Sequence, residues 1–335
     1  MKRTLRRLAI PFKQPFVTAN GVASERELVV LRLESPDGTV GFGEAAPFEP
    51  YDGVPIERAI ATLSGGAGRR PPHARAAEEI ARLDLEARQE GRPLAEPAKD
   101  ALAVNLTLGA GPPEEVAARA RAGLRDGYAC FKLKVGLPDD ADRVAAVRTA
   151  VGPWPAVRVD ANGSWSVDEA VHAIRAIEEH DLEFVEQPCA TLDALAEVRQ
   201  RVSTPIAADE PIATADDVQR AIELEACDVV NVKLASSGGF RPAREALRAA
   251  RAGGLGAFLS STLDGPWGIA AALQLAAAEN LSLACGLATL ELFNGRIAAA
   301  LPGPHKGTLK VPTGPGLGVT VDEETLREVT VAVMG

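Results

Sequence analysis

The sequence predicts an α/β protein: a modified (β/α)-barrel, similar to a TIM barrel, with an N-terminal α+β capping domain. After residue 100, short apolar runs alternate with helical segments rich in Ala, Arg and Glu, which is the pattern of parallel βα units. Charged residues end successive apolar runs every 23 to 26 residues, a spacing that suits one strand, one helix and two short loops. Before residue 100 the strand and helix patterns are grouped instead of alternating, which indicates a separate α+β unit.

The capping domain is predicted to span residues 1–100. ELVVLRLES, the turn PDG and TVGFGEA form the pattern of a β-hairpin. Helices are expected at 56–63 and 74–90, with a Gly- and Pro-rich loop at 64–72. GFGEAA at 41–46 formally fits a G-x-G-x-x-A motif. Pro47 follows where a helix should begin, so we expect no dinucleotide site there.

The barrel domain is predicted to span residues 101–305. Its eight strands are expected at 103–109, 130–135, 157–161, 183–187, 205–209, 229–234, 256–261 and 283–288. Ser166, with Glu169 three residues later, predicts a capped helix start between two of these strands. Eight strands separated by helices predict a (β/α)-barrel. The tail, 306–335, is expected to pack back on the capping domain and complete it.

Composition excludes several classes of protein. A hydrophobic content of 46% with 24% charged residues is globular, and the net charge of −10 argues against a nucleic-acid partner. No uncharged apolar stretch approaches 18 residues, so we expect no membrane span. The four cysteines include no CxxC pair, so we expect them reduced, in a cytoplasmic protein. Pro11 and Lys13 interrupt the basic start, which argues against a signal peptide.

Charged side chains end the strand-like runs of the barrel. They are Lys132, Lys134, Asp160, Glu186, Asp209 and Lys233. Any one of them alone would be read as a solvated loop residue. Burying a charge costs several kcal/mol unless it is paired or bound to a metal, so six in one ring need a common use. The active sites of such barrels lie at the carboxyl ends of the strands, where these residues are expected.

The three acidic residues of this ring predict a metal site. Asp160, Glu186 and Asp209 would repel one another without a cation, and oxygen-only ligands suit a hard ion such as Mg²⁺. A lysine beside a divalent cation and a second lysine should have a lowered pKa, which suits it to act as a base.

These segments resemble the muconate-cycloisomerase-like branch of the enolase superfamily. The resemblance rests on KxK, DAN, VEQP, DE and KLxxxGG on successive strands and on GxGEAAP in the capping domain. Members of this superfamily use a Lys or His base with Mg²⁺ to stabilise an enediolate. The resemblance implies that Lys134 is the base, that Lys132 holds the enolate and that Lys233 is an acid/base or cationic partner. It also implies Mg²⁺ on the three carboxylates, with Mn²⁺ as a substitute, and Asn162 and Glu210 in supporting positions.

The last strand bears on the substrate, which is expected to be a small carboxylate. ACGLATLELF is similar to the corresponding segment of o-succinylbenzoate synthases, which dehydrate a cyclohexadiene carboxylate in menaquinone synthesis. Dipeptide epimerases usually carry an acidic pair there, where this chain has Gly286 and Ala288. The substrate-contact candidates are Phe48, Ser260, Ser261 and Gly286. Pro211 and the bulky segment at 264–267 depart from the family pattern.

Two other activities stay open at this point. One is an N-acylamino acid racemase or a dipeptide epimerase, and the other is a non-catalytic pseudoenzyme that keeps the fold for binding. Three lysines in one ring argue against the pseudoenzyme. The sequence leaves a homo-oligomeric state open.

Overall fold

Two main sheets organise the protein, whose computed structural model describes residues 1–18, 21–109 and 111–334. The strands are β1 (Lys2–Thr18), β2 (Gly21–Glu34), β3 (Val40–Ala45), β4 (Ala101–Ala103), β5 (Leu106–Leu108), β6 (Cys130–Lys134), β7 (Ala156–Asp160), β8 (Phe184–Glu186), β9 (Ile206–Ala208), β10 (Val229–Val232), β11 (Gly256–Leu259), β12 (Thr308–Lys310) and β13 (Thr330–Met334). The helices are α1 (Glu49–Asp52), α2 (Ile56–Leu63), α3 (Pro72–Gln89), α4 (Pro113–Arg125), α5 (Asp140–Val151), α6 (Val167–Ile177), α7 (Leu192–Arg199), α8 (Ala215–Glu223), α9 (Leu234–Ser237), α10 (Phe240–Ala252), α11 (Pro266–Ala278) and α12 (Glu323–Val329).

The N-terminal sheet is antiparallel, in the order β13-β1-β2-β3. The predicted hairpin is present as β2 and β3, and helix α2 has the predicted bounds. Strand β1 was not predicted, because Pro11 and the basic residues hide its alternation. Leu8, Ile10 and Phe12 nevertheless point into the core, at 0%, 0% and 7% exposure.

Helix α3 packs closely across β3. A Cβ atom at Gly41 would collide with the carbonyl oxygen of Ala81, and one at Gly43 with that of Ala77. The glycines of GFGEAA therefore allow a helix to contact a strand, which is a packing role.

The second sheet is parallel, in the order β11-β10-β9-β8-β7-β6-β5, with helices in the connections. This arrangement confirms the predicted fold class. The Ser166 side chain and Glu169 form the predicted capping box at the start of α6.

The predicted eighth strand, 283–288, is wrong in extent. This segment makes only isolated bridges, from Cys285 to Val104 and from Gly286 to Ser260. Gly286 explains the weak pairing, because glycine loses the most conformational freedom in a strand. The predicted first strand, 103–109, is divided between β4 and β5.

The C-terminal tail contacts both parts of the molecule. Strand β12 pairs with β4, and β13 pairs with β1 at the edge of the N-terminal sheet. The Leu317 amide donates to the carboxylate of Asp84 in α3. The domain boundaries at 100 and 305 remain a prediction.

A buried charged cluster joins the N-terminal sheet to the barrel. Arg26 of β2 donates to the carbonyl oxygens of Thr262 and Leu263, 3.1 Å away in each case. Glu44 of β3 accepts from the Gly265 amide at 2.7 Å, at the start of α11. Asp264 is also buried and interacts electrostatically with both Arg26 and Glu44. The elements that these contacts connect are far apart in the chain, so they fix the two sheets relative to each other.

Two further expectations concern the cysteines and membranes. All four cysteines are free and buried. Within the described ranges, no helix has the length and apolar character needed to cross a bilayer.

Candidate active site

Strand register brings the predicted ring of charges together inside the barrel. Lys134 pairs with Asp160 across β6 and β7, and Asp160 pairs with Glu186 across β7 and β8. Glu186 pairs with Ala207 in β9, so Asp209, two residues further on, faces the same interior. The carboxyl ends of these strands therefore form one polar layer.

Lysines of β6 lie among the first two carboxylates. Lys132 Nζ is 2.9 Å from Asp160 Oδ2 and 2.7 Å from Glu186 Oε2. Lys134 Nζ is 2.6 Å from the same Asp160 oxygen and 2.6 Å from Asn162 Oδ1. The sequence predicted that these lysines and carboxylates lie together, and the structure shows which lysine pairs with which carboxylate.

Lys233 lies on the far side of the carboxylates, at the end of β10, which three strands separate from β6. It follows β10, is 5% exposed, and forms an ion pair with Asp209. Its Nζ also donates to the hydroxyl of Tyr51 at 2.9 Å. Tyr51 belongs to α1 of the N-terminal unit, so residues from both parts of the chain form this side of the site.

Burial and charge shift the lysine pKa values in opposite directions. Burial lowers the pKa of Lys132, but the carboxylates of Asp160 and Glu186 outweigh it and hold this pKa above its ordinary value. Burial lowers the pKa of Lys233 to about 7. Lys132 is therefore suited to remain a cation, whereas Lys233 is able to exchange a proton near neutral pH.

Polar side chains hold the carboxylates in place. Asn231 Nδ2 donates to Glu186 Oε1 at 2.9 Å, and Ser260 Oγ donates to Asn231 Oδ1 at 2.8 Å. The side-chain oxygen of Gln187 accepts from the Asp209 amide at 2.7 Å. These contacts restrict the rotamers of the groups that face the interior.

The two predicted supporting residues also meet at this edge. Asn162 Nδ2 donates to Glu210 Oε1 at 3.0 Å. The side-chain oxygen of Asn162, Oδ1, accepts from Lys134 Nζ. Burial, followed by the charge of Asp160, raises the pKa of Glu210. Lys134, Asn162 and Glu210 thus form one hydrogen-bonded chain across the strand ends.

The four predicted substrate contacts, Phe48, Ser260, Ser261 and Gly286, lie in three different surroundings. Gly286 and Ser260 adjoin, and a Cβ atom at Gly286 would lie 2.8 Å from Ser260 Cβ. Ser261 Oγ pairs with Thr289 Oγ1 at 2.8 Å. The ring of Phe48 lies 4.9 Å from the Arg26 guanidinium and packs against the core. The substrate contacts of these four residues stay predictions.

The carboxylates of Asp160, Glu186 and Asp209 are the possible metal ligands of this site. Among the described residues, no three Asp, Glu, His or Cys side chains are already grouped closely enough to hold an ion, because lysine ammonium groups lie among the carboxylates. The ammonium group of Lys132, 2.7 Å from Glu186 Oε2, occupies the place that a cation would share. The three buried carboxylates supply the hard oxygen donors that Mg²⁺ prefers.

Sequence reasoning missed two residues of the site. Asn231 lies two positions before Lys233 in β10, so the alternation of a strand could have identified it. Tyr51 was not among the predicted site residues. It lies in a four-residue helix, where no periodicity indicates which way its side chain points.

Comparisons with known proteins agree with this fold. Residues 115–325 match the family described as enolase C-terminal domain-like. The chain is 39% identical to an o-succinylbenzoate synthase of Thermobifida fusca over 98% of this chain and 92% of that protein. It is 32% identical to an L-Ala-D/L-Glu epimerase of Bacillus subtilis over 93% of this chain and 94% of that protein. A crystal structure of a dipeptide epimerase from Enterococcus faecalis, complexed with Mg and L-Leu-L-Tyr, superposes with a TM-score of 0.86 at 27% identity, covering 96% of this chain and 99% of that one.

Proposed function

Because this chain belongs to the enolase superfamily, in its muconate-cycloisomerase-like subgroup, we propose that it removes the proton alpha to a substrate carboxylate, through an enediolate. One observation carries the proposal: the lysines of β6 pair with Asp160 and Glu186, and Lys233 at the end of β10 pairs with Asp209, inside one barrel. The buried cations offset the negative charge that develops on the substrate during proton removal.

The metal we propose is Mg²⁺, held by Asp160, Glu186 and Asp209. When bound, it would supply positive charge that stabilises the substrate carboxylate as its own charge grows. The Enterococcus faecalis epimerase is complexed with Mg, which supports this choice. Mn²⁺ accepts the same oxygen ligands and is the proposed substitute.

The lysines divide the proton chemistry between two sides of the substrate. As the neutral amine, Lys134 Nζ takes the alpha proton and becomes an ammonium group, with Asn162 Oδ1 and Asp160 orienting it. Lys132 stays positively charged beside the carboxylates. Lys233 Nζ faces the substrate from the side of β10, where it acts as a cation or returns a proton.

The specific activity we propose is that of an o-succinylbenzoate synthase, a carbon–oxygen lyase. The 39% identity to the Thermobifida fusca synthase supports it. The segment after α11 also supports it, because Gly286 and Ala288 provide no carboxylate to pair with a substrate ammonium. An unpaired, desolvated charge would cost several kcal/mol. Gly286 also lets the backbone approach Ser260, because a Cβ atom there would lie 2.8 Å from Ser260 Cβ.

Epimerisation or racemisation is the second candidate. The 32% identity to the Bacillus subtilis epimerase favours it, and so does a Lys233 able to exchange a proton near neutral pH. A racemase needs a base on each side of the substrate, whereas a dehydratase needs one base and a cation.

The test compares kcat/KM for the succinyl-bearing cyclohexadiene carboxylate with that for L-Ala-L-Glu, at saturating Mg²⁺. We expect the cyclohexadiene acid to be the better substrate and Lys134→Ala to abolish its turnover, because a positioned base contributes roughly 10²- to 10⁴-fold in rate. The control is Lys306→Ala, which removes an exposed lysine of the tail after the barrel and should leave turnover unchanged. A dipeptide kcat/KM equal to or above that of the cyclohexadiene acid would overturn the synthase assignment and favour the epimerase.

A further inference from the structure

Tyr51 makes two hydrogen bonds on the β10 side of the site. Its hydroxyl oxygen accepts from Lys233 Nζ at 2.9 Å and its proton is donated to Asp209 Oδ2 at 3.2 Å. The ammonium also lies 5.0 Å from the centroid of the Tyr51 ring, within the range of a cation–π contact. The phenol therefore meets Lys233 with both its hydroxyl group and its ring.

The turn that carries Tyr51 is anchored in the N-terminal unit. Asp52 accepts from the amides of Phe48 and Val54, at 2.8 Å each. His73 of α3, which is 1% exposed, places Nε2 3.0 Å from Asp52 Oδ2. Because α3 packs on the N-terminal sheet, these contacts fix helix α1 and with it the Tyr51 side chain.

Lys233 needs such a support more than the lysines of β6. Lys132 and Lys134 lie within a strand that is paired on both sides, whereas Lys233 stands at the junction of β10 and the short helix α9. Its side chain has four rotatable bonds, and a misplacement of about 1 Å in a reacting group can cost about 10²-fold in rate.

We propose that Tyr51 is a positioning residue for Lys233: it fixes the direction of that ammonium group from the capping side of the barrel. The inference rests on the proposed function and deepens it, because it assigns control of one of the two reacting sides to a residue outside the barrel. Loss of Tyr51 should therefore affect the chemistry on the Lys233 side and spare that on the Lys134 side.

The first experiment follows alpha-proton exchange of each enantiomer of an N-acylamino acid in D₂O with the Mg²⁺-loaded protein. Lys134→Ala and Lys233→Ala identify the enantiomer that each lysine serves. For Tyr51→Phe we expect about a tenfold loss of exchange on the Lys233 side, as for a hydrogen bond to a charged group. Tyr51→Leu, which also lacks the ring, should lose about 100-fold. Exchange on the Lys134 side should stay within about twofold in both variants.

The second experiment is independent of any reaction. Lysines of the Mg²⁺-loaded protein are labelled with acetic anhydride, and the modification of Lys233 is followed by peptide mass spectrometry. Without the hydroxyl partner, we expect Lys233 in Tyr51→Phe to be modified at least about threefold faster, with Lys310 unchanged as the reference. Tyr128→Phe is the matched control, because Tyr128 also bonds to a carboxylate, that of Glu291 at 3.4 Å, and is the other of the two tyrosines.

The outcomes separate this inference from the proposed function. Equal losses on both sides of the substrate would mean a general structural role and would overturn the positioning role. An unchanged rate of Lys233 modification in Tyr51→Phe would overturn it as well. Faster modification together with no exchange of any enantiomer by the wild type would retain the Tyr51–Lys233 contact and count against the racemase candidate. The proposed proton removal would fail only if the cyclohexadiene acid were not turned over either.

Discussion

At the scale of single residues, each carboxylate of the site is balanced by an ammonium group. Burial raises the pKa of Asp160, but Lys132 and Lys134 outweigh it and hold that pKa well below its usual range. Asp209 forms an ion pair with Lys233. Binding of a divalent cation among these groups therefore requires the lysines to give up part of their contact with the carboxylates.

Asp209→Asn tests the metal assignment at this scale. A neutral amide cannot balance the charge of Mg²⁺, so affinity should fall at least as much as the roughly 10- to 100-fold typical of losing an outer-sphere partner. Calorimetric titration with MgCl₂ measures the affinity, and activity should fall with it. Asp228→Asn, which alters an ion pair with Arg199 before β10 begins, should bind Mg²⁺ normally. EDTA-treated wild type that stays fully active would contradict the assignment.

At the scale of elements, short strands and close helix contacts set the position of the site. The strand that ends at Glu186 and the strand that precedes Asp209 have three residues each. Hydrogen bonds of Asn231 to the Glu186 carboxylate and of the Asp209 amide to Gln187 support these strand ends. The segment after α11 makes only bridges beside Gly286, which leaves this part of the barrel wall with little side-chain volume. Glycines also allow a close approach of backbone to backbone where α3 crosses β3.

Gly43→Ala tests the contact of α3 with β3. The added methyl group would collide with the Ala77 carbonyl, and backbone cannot move as easily as a side chain. We expect the free energy of unfolding to fall by about 1–3 kcal/mol, measured by urea denaturation. Gly303→Ala is the control, since its Cβ atom would have its nearest neighbour, Glu291 Oε1, at 3.5 Å. An unfolding free energy unchanged in Gly43→Ala would show that α3 does not need this approach.

At the scale of the whole molecule, the buried cluster of Arg26, Glu44 and Asp264 holds the N-terminal sheet on the barrel. Burial raises the pKa of Glu44 to about 8 and also raises that of Asp264. Burial lowers the pKa of Arg26 to about 10. Glu44 and Asp264, which help to hold the N-terminal sheet on the barrel, therefore keep their protons to a higher pH than exposed carboxyl groups do.

This cluster predicts a pH dependence of stability. The folded state keeps the Glu44 proton up to about pH 8, whereas the unfolded chain releases it near the ordinary pKa of 4.5. The folded state thus binds more protons in this window, and its contribution to stability is lost as the pH rises from about 5 to 8. Glu44→Gln should remove that part of the slope, measured by urea midpoints at several pH values. Glu57→Gln, an exposed glutamate of α2, should keep the slope; equal slopes in all three proteins would contradict the prediction.

Cytoplasmic location, homo-oligomerisation and the absence of a nucleic-acid partner remain predictions from composition. The pseudoenzyme alternative is not supported by any contact described above, since the three lysines are paired with the acidic residues of the site.

The sequence by itself determined the barrel and the identity of its six charged residues. This was possible because strands repeat every two residues and βα units repeat along the chain, so Lys134, Asp160 and Glu186 end neighbouring strands in register. Local signals such as Ser166 and Glu169 also fixed a helix start.

Only the tertiary structure decided which residue faces Lys233 and how far the last strand extends. Tyr51 and Lys233 are 182 residues apart, and the direction of Tyr51 depends on Asp52, His73 and α3. No period within the sequence relates such distant segments, because their contact is set by the packing of one sheet on another.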